Sequence, residues 1–527
     1  MYVDTATYTR DGKKHKRYLL RKSYRENGKV KKKTIASLCR LTEDEIDAIK
    51  IAFKHKSKLE SLHSIKDVKL LQGKSYGAVL LLKKIAMELG ITKALGNTDM
   101  GKLALWQVLG RVLFQGSRIS LIRSLDNHLA KEILSLKRVT EKTLYRNLSW
   151  VESNQQKIEK KLFAQSKLGT SLYLYDVTSS YFEGEHNELS SYGYNRDKKK
   201  GKKQIVIGLL TNSEGYPVAT RVFSGNTSDS KTVSEQVQLL QKKFDVKKVT
   251  LVGDKAMFSQ KQIEDLPEEF SYITSIGKPQ IKKLIKENHL QLSLFDENVK
   301  EVETEDKRYI FRCNPIRKEE MHNTRNAKIK SVKALLNKKN KYLAEHTRAK
   351  PEIAIRDLSV YAKKLKIDKL ITINHTNRTI EIKQDEKAIE NVSQFDGCYC
   401  IATNLTQDEA QKDTIHNRYK DLSLVESAFR TMKQTHLEIR PVFLRREDRT
   451  RGHVFITALS FMIQRKLSEY WKDLKIPVTE GLKSLTILTT SIIKFAKGEI
   501  HTFNQPNKIC AKLLNAAKVE IPKRVPT

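Results

Sequence analysis

Apolar residues recur at two different spacings along the chain, and the change from one to the other divides it. Between residues 42 and 165 the spacing is helical. Val79, Leu80, Leu82, Ile85 and Ala86 fall on one face, as do Leu105, Val108, Leu109, Val112 and Leu113, and again Leu144, Leu148 and Val151. Thr42 followed by Glu45 has the form of a capping box, and Thr140 with Thr143 is a weaker version lacking the acid. From about residue 170 the pattern shortens to strands, at 171–178, 204–211 and 217–224, with Asn212-Ser213-Glu214-Gly215 as the turn between the last two. A helix at 228–244, a strand at 248–252, a further helix and a strand at 271–276 complete this stretch.

The order of three hairpin-connected strands, then helix, strand, helix, strand predicts an α/β fold with a mixed sheet in the RNase H-like arrangement. Residues 290–395 interrupt it. Strands at 308–313, 371–375 and 379–384 and a long Lys-rich helix at 317–347 read as an inserted subdomain. Strand character returns at 399–404, followed by a helix over 407–434 broken near Thr414, and helices at 453–470 and 505–516. The expected organisation is therefore a basic β-ribbon at 1–40, a helical DNA-binding or dimerisation region at 41–167, a catalytic core at 168–289 and 396–475, the insertion at 290–395, and a helical tail at 476–527.

Charge changes the picture next. The 527 residues hold 99 Lys and Arg against 61 Asp and Glu, a formal charge of +38. Such a balance points to a polyanionic partner, nucleic acid first. No apolar run reaches the ~18 residues of a membrane span, and no basic-then-apolar leader opens the chain, so a cytoplasmic protein, nucleoid-associated when on DNA, is expected. Residues 1–40 are densely basic. Asp11-Gly12 and Asn27-Gly28 are strong two-residue hairpin turns flanking Tyr18, Leu19, Leu20 and Tyr24. The ribbon reads either as a DNA-contacting arm or as a solvated edge that uses Lys against aggregation. Five cysteines, at 39, 313, 398, 400 and 510, are too scattered for a disulfide framework. Cys398 and Cys400 read as strand cysteines on one face, since no second pair completes a zinc site.

Three acids stand apart. Asp176 ends the apolar run Leu172-Tyr173-Leu174-Tyr175, and Asp254 follows Leu251-Val252-Gly253. Glu426 lies on a helix whose Val425, Ala428, Phe429 and Met432 form an apolar face, with Arg430 and Lys433 beside it on the flank. Taken singly, each acid is an ordinary turn former or surface ion-pair residue. Together, on a basic chain with this element order, they form a candidate carboxylate triad.

With these residues in place, the sequence resembles the DDE transposases of bacterial insertion sequences. It is closest to the branch with an insertion between the second Asp and the Glu and a Y-x2-R-x3-E-x6-K signature. Tyr419, Glu426 and Lys433 stand at the signature spacings, while Leu422 occupies the Arg position. Asp176 through Gly184, Gly208-Leu209-Leu210, Gly215-Tyr216-Pro217, Gly225-Asn226-Thr227-Ser228-Asp229 and Gly253-Asp254-Lys255 also resemble the family.

The resemblance implies two Mg²⁺ ions, with Mn²⁺ able to substitute, held by Asp176, Asp254 and Glu426, with Asp176 bridging. It implies hydrolysis at the terminal inverted repeats of an element, joining of the freed 3′-hydroxyl to target DNA, and a homodimer that pairs the ends. DNA contact is then expected from Tyr419, Arg430 and Lys433, from Lys255, and from the Arg445, Arg446 and Arg449 cluster. The Lys198, Lys199 and Lys200 run reads either as a DNA-tracking loop or as a solvated one. Two alternatives stand beside this reading: a catalytically silent, transposase-derived DNA-binding protein, and a plain RNase H-like nuclease.

Overall fold

A computed structural model of the chain describes residues 1–57, 68–114, 116–165, 172–184, 186–243, 249–291, 295, 298–304, 307–434, 437, 439, 442–495 and 498–526. Residues 171, 244 and 248, the ends of three expected elements, lie outside these. The chain forms two compact units, Met1–Lys74 with Thr489–Gln505 and Ile521–Thr527, and Ser75–Leu488 with Pro506–Glu520.

In the first unit, Tyr2–Arg10, Lys13–Glu26 and Lys29–Ser37 form a three-stranded antiparallel sheet in that order. Both connecting turns are left-handed at both positions, Asp11 and Gly12 at φ 51 and 73, Asn27 and Gly28 at φ 49 and 76. That geometry matches the right-handed twist of the strands, which is why Asp-Gly and Asn-Gly hold them. The helix Glu43–Lys54 follows, and its capping box is made: Thr42 Oγ1 accepts from Glu45 N–H while Glu45 accepts from Thr42 N–H.

A second sheet departs from the sequence reading. Lys69–Ser75 is a strand within the stretch read as helical, and Thr489–Phe495 and Gly498–Phe503 form a hairpin within the tail read as helical. These three pair in one sheet with Thr489–Phe495 in the middle. Lys69–Ser75 and Gly498–Phe503 are short and mostly exposed, and Thr489–Phe495 is largely half-buried, so their identity comes from partners distant in sequence rather than from their own periodicity.

The second unit is built on an eight-stranded mixed sheet. Its order is Lys300–Glu303, Arg308–Cys313, Cys398–Thr403, Phe270–Ile276, Val249–Gly253, Leu172–Tyr181, Gln204–Asn212 and Pro217–Ser224. Phe270–Ile276, Val249–Gly253 and Leu172–Tyr181 run parallel, and every other neighbouring pair is antiparallel. Alternation along Leu172–Tyr181 sends Tyr173, Tyr175 and Val177 into a core with Val206, Leu210, Leu251 and Tyr272. Leu174 and Asp176 are left for the opposite face. The helices Asp99–Leu113 and Glu141–Gln165 pack with the long helix Glu447–Tyr470. The contact to the sheet is fixed by a bidentate pair, Arg221 Nη1 and Nη2 to the two carboxylate oxygens of Glu159 at 2.8 and 3.0 Å.

The expected insertion has its own core. Pro315–Glu345, Pro351–Lys364 and the hairpin Ile371–Thr376 with Thr379–Gln384 bury Val332, Leu336, Leu358, Ala362 and Ile380 together. Lys300–Glu303 and Arg308–Cys313, although inside the 290–395 stretch, belong to the large sheet. Cys313 and Cys398 are register partners where the chain leaves that sheet and returns to it. All five cysteines are free; Cys400 is buried and Cys398 only partly so. No helix among the described residues is long and apolar enough to cross a membrane.

Candidate active site

The two aspartates meet through strand register. Leu172, Tyr173 and Leu174 pair with Thr250, Leu251 and Val252 in parallel. The same offset carried two residues further sets Asp176 alongside Asp254. Both stand where an apolar strand gives way to polar surroundings, Asp176 within its strand and Asp254 one residue past Gly253. Local hydrogen bonds hold them: Asp176 Oδ1 accepts from Val177 N–H at 2.8 Å, and Asp254 Oδ1 accepts from Ala256 and Met257 N–H at 2.8 and 3.2 Å.

The third acid arrives on a helix. Instead of one helix broken near Thr414, the chain forms Lys412–Lys420 and Leu422–Gln434, separated at Asp421. Val425, Ala428, Phe429 and Met432 are buried, as their spacing requires, and the helix packs on the Asp176 strand. Glu426 and Arg430 are exposed on its open flank. Burial, with Asp254 and Glu426 adding their repulsion, raises the Asp176 carboxyl from 3.8 to about 7, against the pull of Val177 N–H and the Arg196 guanidinium. Tyr419 belongs to the same cluster. Burial raises its phenol, and Asp254, Glu426 and Asp176 all push it further, while a hydrogen bond with Ser275 opposes them.

The charges of Asp254 and Glu426 reach the Asp176 carboxyl. The hard oxygens of these carboxylates suit Mg²⁺ or Mn²⁺ and exclude softer preferences. Among the described residues, no three His, Cys, Asp or Glu already converge as a ligand set. The donor chemistry fits a hard divalent ion.

The expected DNA-contacting residues divide. Lys198, Lys199, Lys200, Lys255, Arg430, Arg445 and Arg446 are exposed, and Arg446 forks onto Asp448 at 3.0 and 2.9 Å. Arg449 is half-buried against the Tyr145 ring at 5.4 Å. Lys433 differs: its ammonium meets Asp197 at 3.0 Å, and the two side chains are only 9% and 3% exposed. Asp197 also accepts from Tyr181 N–H at 3.1 Å. Beside it, Arg196 pairs with Asp229 and donates its backbone N–H to Ser179 Oγ at 2.9 Å.

Asp197, Arg196 and Ser275 do not stand out in the sequence. The available signal was Asp197 itself, the one acid between Arg196 and the lysines that follow. The segment after the Glu426 helix is tied to the same strand end, Val442 N–H to Tyr181 O at 3.3 Å and Glu183 N–H to Val442 O at 3.0 Å. Asn187 adds 2.6 and 2.8 Å bonds to Leu444 O and Thr450 Oγ1. Arg440 lies outside the described residues.

Comparison with known proteins adds three findings. The family model of the transposase DDE domain matches residues 167–463, and that of the IS1634 family transposase N-terminal domain matches residues 3–63. No curated protein matches the chain. Among solved structures the chain is similar, at 11% identity, to a piggyBac transposase seen by cryo-EM in a synaptic complex with hairpin DNA; the match covers 78% of this chain and 76% of that one, with a TM-score of 0.35.

Proposed function

The chain belongs to the DDE transposases of bacterial insertion sequences, and from that premise we propose that it binds the terminal inverted repeats of its element, hydrolyses the phosphodiester bonds there and joins the 3′-hydroxyl ends to target DNA. The observation that carries this reading is the meeting of Asp176 and Asp254 through parallel register with Glu426 on the helix packed against them. We read residues 168–289 and 396–475 as an RNase H-like catalytic core. The central strand order, with Leu172–Tyr181 between an antiparallel hairpin pair and two parallel strands, supports it.

Asp176, Asp254 and Glu426 would hold divalent magnesium, or manganese in its place, two ions to a site, which supply an activated oxygen nucleophile and a stabilised leaving oxygen. Around them the protein binds and orients. Tyr419, its phenol held protonated by burial and by the acids, donates a hydrogen bond to a phosphate oxygen. Arg430, one turn beyond Glu426, and Lys255, next to Asp254, face solvent where a DNA strand would pass, and phosphate contacts of this kind set register. Lys198, Lys199, Lys200, Arg445 and Arg446 extend the positive surface. Lys433 acts differently. Through Asp197 it fixes the Glu426 helix to the end of the Asp176 strand. A homodimer, pairing two element ends, is the assembly this reaction needs.

The test is cleavage of duplex DNA carrying the element's terminal repeats, with Mg²⁺ and with chelator. Asp176→Asn, Asp254→Asn and Glu426→Gln are each expected to abolish cleavage and retain binding. Wild-type activity in any one of them removes that residue from the site. End-specific binding without wild-type cleavage would leave a DNA-binding protein in which Leu422 has cost the activity.

A further inference from the structure

The inserted subdomain leaves the large sheet at Cys313 and returns to it at Cys398, and these two residues face each other across antiparallel strands. One step beyond them Asn314 N–H donates to Gly397 O at 2.9 Å, while Cys398 N–H turns aside to Phe395 O at 3.4 Å. Hydrogen-bonded and non-hydrogen-bonded pairs alternate along such a ladder. The cysteines therefore hold a non-hydrogen-bonded position, where Cα atoms stand ~4.5 Å apart and side chains approach most closely. A disulfide accepts Cα separations of ~4.4–6.8 Å. The sulfurs converge as well. Cys313 Sγ and Cys398 Sγ lie within hydrogen-bond reach of the same carbonyl, Asp396 O, at 3.5 and 3.7 Å, and the Cys398 thiol is also hydrogen-bonded with Cys313. Cys400, two residues on, is in register with Phe311 instead.

The surroundings hold this pair in place. Asp396 is buried, and its carboxylate pairs with Arg325 of the long helix Pro315–Glu345. Gly397 is left-handed at φ 71, and a Cβ there would lie 2.4 Å from Asn314 O, so the strands meet more closely than a side chain at this position allows. Cys313 is buried and Cys398 partly exposed, so a reagent reaches Cys398 first. Burial, with Cys313 beside it, pushes the Cys398 thiol up to about 12, against the pull of Lys278 and Lys318. A thiol of this kind is seldom ionised and is a poor leaving group, so a disulfide here forms slowly and resists reduction.

We propose that Cys313 and Cys398 are a redox modification site, a dithiol that closes to a disulfide and latches the base of the inserted subdomain. The oxidant is a low-molecular-weight disulfide. The Cys398 thiolate attacks one sulfur of the oxidant, whose S–S bond breaks as one small thiolate leaves. The Cys313 thiolate then attacks Cys398 Sγ and expels the second. Two protons and two electrons pass from the protein thiols to the two small thiols released. The bond makes residues 314–397 a covalent loop. It also ties down Cys398–Thr403, the strand that leads through Lys412–Lys420 to the Glu426 helix.

The experiment uses the full chain carrying Cys39→Ser, which removes the exposed thiol. Reduced protein is equilibrated with oxidised glutathione under native conditions. The reaction is quenched in acid, remaining thiols are alkylated, and peptides are mapped by mass spectrometry. A peptide joining Cys313 to Cys398 is expected, and it disappears on treatment with dithiothreitol. In Cys313→Ser the reaction is expected to stop halfway, with glutathione left on Cys398. Cys313 and Cys398 both alkylated at equilibrium would overturn the proposal, as would Cys398 joined to Cys400.

Thermal unfolding separates a latch from an incidental cross-link. Closing a long loop restricts the unfolded chain strongly. Oxidation is therefore expected to raise the Tm by several degrees, an increment reversed by dithiothreitol and absent in Cys398→Ser. A Tm unchanged or lowered by the bond would overturn the latch. Neither measurement uses DNA or a divalent ion, so failure of the catalytic reading is seen separately.

Discussion

Replacing Lys433 by Met tests whether this lysine organises the site or touches DNA. The pair Lys433–Asp197 spans 3.0 Å with side chains 9% and 3% exposed. At an effective dielectric of ~20, charges at that distance attract by about 5 kcal/mol, part of which repays their desolvation. Breaking a buried pair from one side costs about 3–5 kcal/mol, because the remaining charge stays buried. In Lys433→Met the Asp197 carboxylate keeps its other partners, the Tyr181 N–H among them, and loses the buried ammonium. A loss of about 3 kcal/mol is therefore expected, read as a lower urea midpoint. The double variant Lys433→Met with Asp197→Leu should recover much of it, giving a large coupling energy. DNA binding is the second assay. A lysine on a phosphate contributes about 0.9 to the salt slope, whereas one paired with Asp197 contributes nothing. The reasoning fails if Lys433→Met lowers the slope by about one while Asp197→Asn leaves stability unchanged.

Further outcomes can be checked on the free protein. The Asp176 carboxyl is raised from 3.8 to about 7, so between those pH values the folded chain holds more proton than the unfolded chain. Its contribution to stability is then lost as pH rises towards 7, by a few kcal/mol at most. In the absence of divalent ions, Asp176→Asn should gain stability over wild type at pH 8 and little at pH 4; a constant difference across that range would contradict the assignment. In the other unit, a Cβ at Gly73 would lie 2.1 Å from Thr490 Oγ1 and 2.9 Å from Thr490 O. Gly73→Ala should therefore cost about 1–3 kcal/mol by forcing the two strands apart, measurable by hydrogen exchange at Thr489–Phe495.

Much of this architecture could be read from residues whose reasons are local. Asp11-Gly12 and Asn27-Gly28 announce their turns because few other pairs accept two left-handed positions. Thr42 and Glu45 announce a helix start because the two satisfy each other's neighbours. The strands carrying Asp176 and Asp254 were legible from their apolar runs, and the helical face of Val425, Ala428, Phe429 and Met432 from its spacing. What stayed hidden depends on partners far along the chain. Lys69–Ser75 becomes a strand only beside Thr489–Phe495. Arg308–Cys313 joins the large sheet only through Cys398–Thr403. Lys433 lies 236 positions from Asp197, and nothing at its own location distinguishes it from an exposed lysine.

The register of Cys313 with Cys398 bears on how such a chain can change over time. Residues 314–397 leave and rejoin the sheet from directly opposed positions, about 5 Å apart as in any antiparallel pair. To the sheet, the whole subdomain is equivalent to the loop of a hairpin. It can be lengthened, shortened or exchanged for a two-residue turn without altering strand order, so its size and content are free to drift while Asp254 and Glu426, which flank it, keep their places.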